Sequence, residues 1–255
     1  MKPYFISFIT LYIKELRRFT KIPGQTILAP AVTTLLFMVI FSTAIGDTRG
    51  RYILTDFKLF LFPGLIMMTI IQNSFMNNSS SILMSKVQGN IVDLLMPPIS
   101  NFQIIVSFIL AGVTRGITVA AAAGLFMLPF VQIEIHNFGV ILFFAIFSSA
   151  TLSLIGLLTG IWAEKWDHLG TIDNFIIIPL SFLSGTFYSI KILPEFIQKI
   201  SLFNPFFYMI DGFRYGFIGS SDINLLVSMQ ILLFSFTILL FFSYFVLQSG
   251  YKLRN

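Results

Sequence analysis

The sequence predicts an all-α, polytopic membrane protein: six transmembrane helices, an N-terminal amphipathic interface helix, and short re-entrant helices before the last span. Three observations carry this fold class. Hydrophobic residues make up 56% of the chain and charged residues only 11%, less than half the charged share of a soluble domain. Mean hydropathy is +0.88. The apolar residues also fall in contiguous runs near the ~20 residues that cross a hydrocarbon layer. Of 255 residues, 31 are Phe and none is Cys, which excludes thiolate metal sites, redox pairs and thiol nucleophiles. With this apolar content, the net charge of +5 points to anionic membrane lipids, not nucleic acid, as the negative partner.

Residues 1–24 read as an amphipathic helix. Ser7, Thr10, Lys14, Arg17 and Lys21 recur at intervals of three and four and form one polar stripe, with Arg18 beside it. Phe5, Phe8, Ile9, Tyr12, Ile13, Leu16 and Phe19 cover the rest, the pattern of a helix lying in the headgroup layer. It serves either as a basic anchor or as a contact for a cytosolic partner. Pro23-Gly24 then turns the chain into the first span. Basic leader and apolar run are both longer than those of a cleaved signal peptide.

The spans are expected at about residues 27–45, 59–75, 102–131, 138–162, 175–190 and 225–247, within a six-helix transmembrane domain covering 25–250. The second is closed by the polar stretch Asn77-Asn78-Ser79-Ser80-Ser81, and the third carries one charge, Arg115. At the bilayer centre that charge would cost roughly 2.5–3.5 kcal/mol, so Arg115 snorkels, pairs structurally or contacts substrate. The small residues from Ala111 to Gly124 permit close helix packing, within one chain or at a dimer seam. The fifth span is short and holds Pro179 and Gly185. Between 193 and 219, four charges and two prolines argue against a regular lipid-exposed helix. Spacing there gives two short amphipathic pieces: Leu193, Ile197 and Ile200 on one face, then Phe206, Ile210, Phe213 and Phe217, with Asp211 and Arg214 three apart.

An even span count puts both termini on one side, with 251–255 as a tail. With the N-terminus inside, nine Lys and Arg fall in cytoplasmic segments and six in outer ones. Five of the nine precede the first span, so both termini are expected in the cytoplasm.

The chain has no G-x-x-x-x-G-K-[ST], G-x-S-x-G or H-E-x-x-H, and so no nucleotide-binding P-loop or familiar hydrolase centre of its own. Its two histidines, His136 and His168, fall on opposite sides in this topology. No acid lies deep in a predicted span, Asp173 being the nearest, which disfavours an ion-coupled carrier. No catalytic, cofactor or metal residues are expected.

Two stretches carry a resemblance. One runs Ser184-Gly185-Thr186-Phe187-Tyr188, Leu193-Pro194, Asn204-Pro205, then Asp211 and Arg214; the other is Gly89-Asn90-Ile91-Val92-Asp93-Leu94-Leu95-Met96-Pro97-Pro98. Their motifs and order resemble those of ABC-type-2 export permeases. The resemblance implies a permease homodimer docked to two copies of a separate ABC ATPase, which would carry ATP and Mg. It implies coupling through Lys86, Val87, Gly89, Ile91, Asp93, Leu94, Leu95 and Pro97, with a second contact at the leader residues Lys14, Arg17, Arg18 and Lys21. Gly185, Tyr188, Pro194, Asn204, Pro205, Asp211 and Arg214 would close the exit. The expected substrate is an amphipathic drug-like molecule or lipid exported across a bacterial inner membrane, with lipid-linked polysaccharide as the alternative within the family.

Overall fold

The computed structural model describes residues 3–49, 57–97 and 99–253, which form helices and turns without a strand. The helices are α1 (Pro3–Thr20), α2 (Ala29–Arg49), α3 (Phe57–Val87), α4 (Ile91–Leu95), α5 (Asn101–Met127), α6 (Phe138–Trp162), α7 (Trp166–Ile172), α8 (Ile178–Leu183), α9 (Glu195–Phe203), α10 (Pro205–Ile218) and α11 (Leu225–Ser249). Among the described residues, five helical segments are long and apolar enough to cross a membrane: Gly24–Ala44, Phe57–Val87, Asn101–Phe130, Phe138–Trp162 and Leu225–Ser249. They correspond to the first four and the last of the six predicted spans.

Helix α3 is the axis of the bundle, packed by α2, α5, α6 and α10 and buried along most of its 31 residues. Being surrounded, it needs no amphipathic pattern. Its length corrects the expected end of the second span. Asn77–Ser81 does not break the helix, because these polar side chains are held inside the bundle. Asn78 Nδ2 donates to Phe108 O at 3.0 Å on α5 and to Ser153 O at 2.9 Å on α6. Ser74 and Ser149 share a hydrogen bond of 2.6 Å. Buried polar groups satisfied in this way tie neighbouring helices together. The small residues of α5 serve the same contacts: a Cβ on Gly112 would strike Ser153, and one on Gly116 would strike Ser74.

The fifth predicted span, 175–190, is also corrected. Helix here is continuous from Trp166 to Leu183 through α7, a π-helical turn (Asp173–Ile177) and α8. It begins in a charged segment holding Asp167, His168 and Asp173 and ends before Ser184. Only its second half is apolar. Of the expected amphipathic pair, α10 differs as well. Helix α9 exposes Phe196, Ile200 and Phe203. Helix α10 is buried on every side from Phe206 to Arg214, packed against α3, α6 and α11.

Leu11 of α1 and Leu253 beyond α11 share one apolar cluster with Ile104 and Leu157. Leader and chain end therefore lie at the same end of the bundle. At the opposite end Asn137 N donates to Gly216 O at 2.8 Å, and His136 meets Tyr215 edge-on.

Candidate functional site

The leader helix buries Leu11, Glu15 and Phe19, four residues apart, against the bundle and leaves Lys14, Arg17 and Lys21 exposed. Arg18 turns inward. Its Nε meets Glu15 Oε2 at 3.1 Å, and Nη1 donates to Ser80 Oγ at 3.1 Å. Nη2 donates to Asn77 O at 2.5 Å and Asn77 Oδ1 at 2.9 Å. Tyr12 and Thr114 add a contact of 2.9 Å to α5. Of the four leader cations singled out in the sequence, one is a joint to the central helix and three are exposed.

Beside this joint a cavity of about 340 Å³ opens among α2, α3, α5 and the 166–183 helix. Its wall mixes Gln25, Thr33, Gln72, Asn73, Arg115 and Asp173 with Phe37, Met68 and Ile178. Two of these residues sit on π-helical turns, Gln25 on Gly24–Leu28 and Asp173 on Asp173–Ile177. Each turn precedes a proline, Pro30 or Pro179. A proline cannot donate to the carbonyl four residues back, so the helix widens there. The bonds Ala29 N to Gly24 O and Ile178 N to Asp173 O span five residues accordingly. Such turns recur at functional sites.

In the segment between α3 and α5, Lys86 and Val87 belong to the last turn of α3. Lys86 Nζ donates to Ile161 O at 2.6 Å and Ala163 O at 2.7 Å, placing a cation on the carbonyl end of α6. Gly89 adopts φ +74° in the turn that follows, a conformation that costs L-residues with a Cβ. Ile91 and Ile99 pack back on the apolar cluster around Leu11, while Val87, Val92 and Met96 are exposed. Asp93 and Pro97 line a small cavity against Ser7, Leu11 and Lys14, so this segment touches the leader. The side chains of Leu94 and Leu95, and Pro98, lie outside the described residues. At the same end of the bundle Lys252 meets Glu164 at 2.6 Å. The hydrogen bond and charge of Lys252 hold the Glu164 carboxyl below its ordinary range.

The motif from Gly185 to Arg214 forms one knot at the other end of the 166–183 helix. Gly185 turns the chain with φ +75° and its carbonyl accepts from Arg214 Nη2 at 2.6 Å. Arg214 also stacks 3.9 Å over the Phe60 ring. Asn204 Oδ1 caps α10 at Phe206 N (3.0 Å), and its Nδ2 donates to Leu180 O (2.9 Å) and Ser184 Oγ (2.7 Å). Pro205 occupies the first helical position after that cap. Asp211 accepts from Asp222 N at 2.9 Å and Ile223 N at 3.2 Å. Pro194 precedes α9, and Tyr188 is half-buried with its hydroxyl 3.4 Å from Phe182 O. The structure thus brings Gly185, Asn204, Asp211 and Arg214 together. It keeps them apart from Lys86 and the leader, which share the other end.

The sequence does not single out Glu15 or Asn73, and it reads Asn77 and Asn78 only as the polar close of the second span. Their signal is an Asn- and Ser-rich run continuing an apolar helix without Gly or Pro.

These features define a helical membrane protein with a cavity of mixed polar and apolar lining between its helices. The family model for the ABC-2 type transporter matches residues 6–218. The chain is 34% identical, over all 255 residues and the full length of both chains, to the inner membrane transport permease YadH of Escherichia coli K12. It has the same identity and coverage to the YadH permeases of Escherichia coli O157:H7 and Shigella flexneri. The chain belongs to the ABC-2 type transporter family, as a non-catalytic membrane permease subunit. An ABC ATPase is the general partner of such a subunit.

Proposed function

We propose that this chain is the permease half of an ATP-driven exporter of the bacterial inner membrane, with both termini in the cytoplasm. Two copies form the membrane unit, and each docks one ATPase subunit that carries ATP and Mg. The substrate is an amphipathic molecule, drug-like or lipid, taken from the cytoplasm or inner leaflet. The observation that carries this reading is the cavity whose wall alternates amide and hydroxyl side chains with Phe37, Met68 and Ile178. A mixed wall of this kind suits a molecule with a polar head and an apolar body.

In this reading 166–183 serves as the short fifth span and α9–α10 as re-entrant helices that close the outer end. The knot around Arg214 holds that closure. Segment 86–98 and the leader receive the ATPase: their exposed Val87, Val92 and Met96 lie at the end of the bundle where Arg18 links leader and α3.

Inside-out membrane vesicles containing the chain and its ATPase test this. Uptake of a fluorescent cationic or lipid-like amphiphile should require ATP and survive collapse of the proton gradient. Uptake driven by the proton gradient without ATP would overturn it in favour of an ion-coupled carrier.

A further inference from the structure

Arg115 is 8% exposed. Its Nη2 makes one long hydrogen bond, 3.4 Å to Asn73 Oδ1, and its Nε has no hydrogen-bond partner among the described residues. The other inward-turned guanidiniums have acidic neighbours: Arg18 has Glu15 and three further contacts, and Arg214, whose Nε is likewise without a hydrogen-bond partner among the described residues, has the Gly185 carbonyl with Asp211 and Asp222 nearby. Arg18, a charge of like sign, lies nearby. A buried guanidinium without an anionic partner is costly, and its fork is shaped for a phosphate or carboxylate.

Its surroundings supply the room. Arg115 lines the cavity described above and also a second one of about 820 Å³ under the leader helix. The second cavity is bordered by Lys14, Arg17, Arg18 and Lys21, with no carboxylate on its lining among the described residues. Ile13, Phe19, Ile22 and Met84 form its apolar wall. One acid, Asp173, stands on the first cavity, and no ion pair joins it to Arg115 among the described residues. Excess positive charge is therefore concentrated under the leader, and Arg115 is where the two cavities meet.

The geometry points to a headgroup site: Arg115 receives the phosphate of an anionic membrane amphiphile that enters beneath the leader helix, guided by Lys14, Arg17 and Lys21. The apolar part of the molecule lies along Phe19 and Ile22 or over Phe37 and Met68. This rests on the transport reading only in making that amphiphile a substrate; binding itself needs no ATPase.

The purified full chain in nanodiscs tests it. Phosphatidylglycerol should be retained over phosphatidylcholine in native mass spectrometry. Arg115→Gln should weaken retention about tenfold, the loss of one charge-assisted hydrogen-bonded pair. Arg115→Lys should fall between, since it keeps the charge without the fork. Equal retention by wild type and Arg115→Gln, or no preference for the anionic lipid, overturns the proposal. Inorganic phosphate binding as tightly as the lipid would also overturn it, marking a site for soluble anions. If Arg115→Gln does not fold, a single cysteine at Thr33, in a chain that has no other, replaces it. Phosphatidylglycerol should slow its maleimide labelling and phosphatidylcholine should not; equal labelling overturns the site. Retention of the ATPase by the same chain separates the outcomes: ATPase bound but no lipid preference refutes the headgroup site and leaves the transport reading standing.

Discussion

Arg18 of the leader helix donates two hydrogen bonds from one nitrogen to Asn77 in the polar stretch of α3, at 2.5 Å to the backbone carbonyl and 2.9 Å to the side-chain oxygen. The same guanidinium holds Glu15, whose side chain is 1% exposed. The leader is thereby fastened to the helix around which the bundle is built. A displacement of α1 reaches the polar seam of α3 directly.

Replacing Arg18 by Ala should leave Glu15 buried without its cation, a loss of about 3 kcal/mol or more on the scale of broken buried pairs. Arg18→Ala should lower the thermal midpoint of the purified protein and speed proteolysis within residues 3–20. Adding Glu15→Gln should restore much of the loss, because the orphaned charge is removed. An Arg18→Ala protein with the wild-type midpoint and cleavage rate would show that the joint holds nothing.

Asn204 combines a helix cap with two donated bonds to the end of the 166–183 helix. Asn204→Ala should cost about 2–3 kcal/mol, from a lost cap of ~1 kcal/mol and the loss of buried hydrogen bonds. Asn204→Asp keeps the cap acceptor but loses the donors, so its midpoint should lie between. If Asp and Ala lower the midpoint equally, the cap is not the stabilising part.

His136 and Asp167 lie beyond opposite ends of α6, whose 25 residues span ~37 Å at 1.5 Å per residue. A cysteine replacing Asp167 should react with an impermeant maleimide only from the cytoplasmic side, and one replacing His136 only from outside. The cysteine-free background makes the signal unambiguous. The reverse pattern would invert the proposed orientation.

Long apolar runs are legible in the sequence because a helix in lipid must satisfy its backbone internally and cover itself with apolar side chains. The first four spans and the last follow from this alone. Where the bundle itself provides the surroundings, the same logic misleads. Asn77–Ser81 has the composition of a loop, yet α5 and α6 accept its hydrogen bonds and the helix runs on to Val87. Helix α10 reads as amphipathic because it carries Asp211 and Arg214, yet backbone groups of neighbouring segments partner both charges inside the fold. The 166–183 helix starts among charges that no hydropathy window would include. The motif residues Gly185, Asn204 and Arg214 could be listed from the sequence. That they form one knot could not, since the bonds join groups 20 to 29 residues apart. Arg115 stands out in the sequence as a lone charge; its missing partner is visible only when its neighbours are placed around it.

The central claim, that this permease works with a separate ATPase docked on segment 86–98 and the leader, is tested most directly by co-purification. Val92 and Met96 are exposed on that segment at 51% and 79%, and a central apolar anchor in an interface costs about 2 kcal/mol or more when lost. Tagged wild-type chain, extracted gently from its native membranes, should bring down a P-loop ATPase in equal amount. The double variant Val92→Asp, Met96→Asp should insert and express normally while losing at least ten times more of that ATPase. Wild-type chain that purifies without an ATPase and itself binds nucleotide specifically would contradict the account.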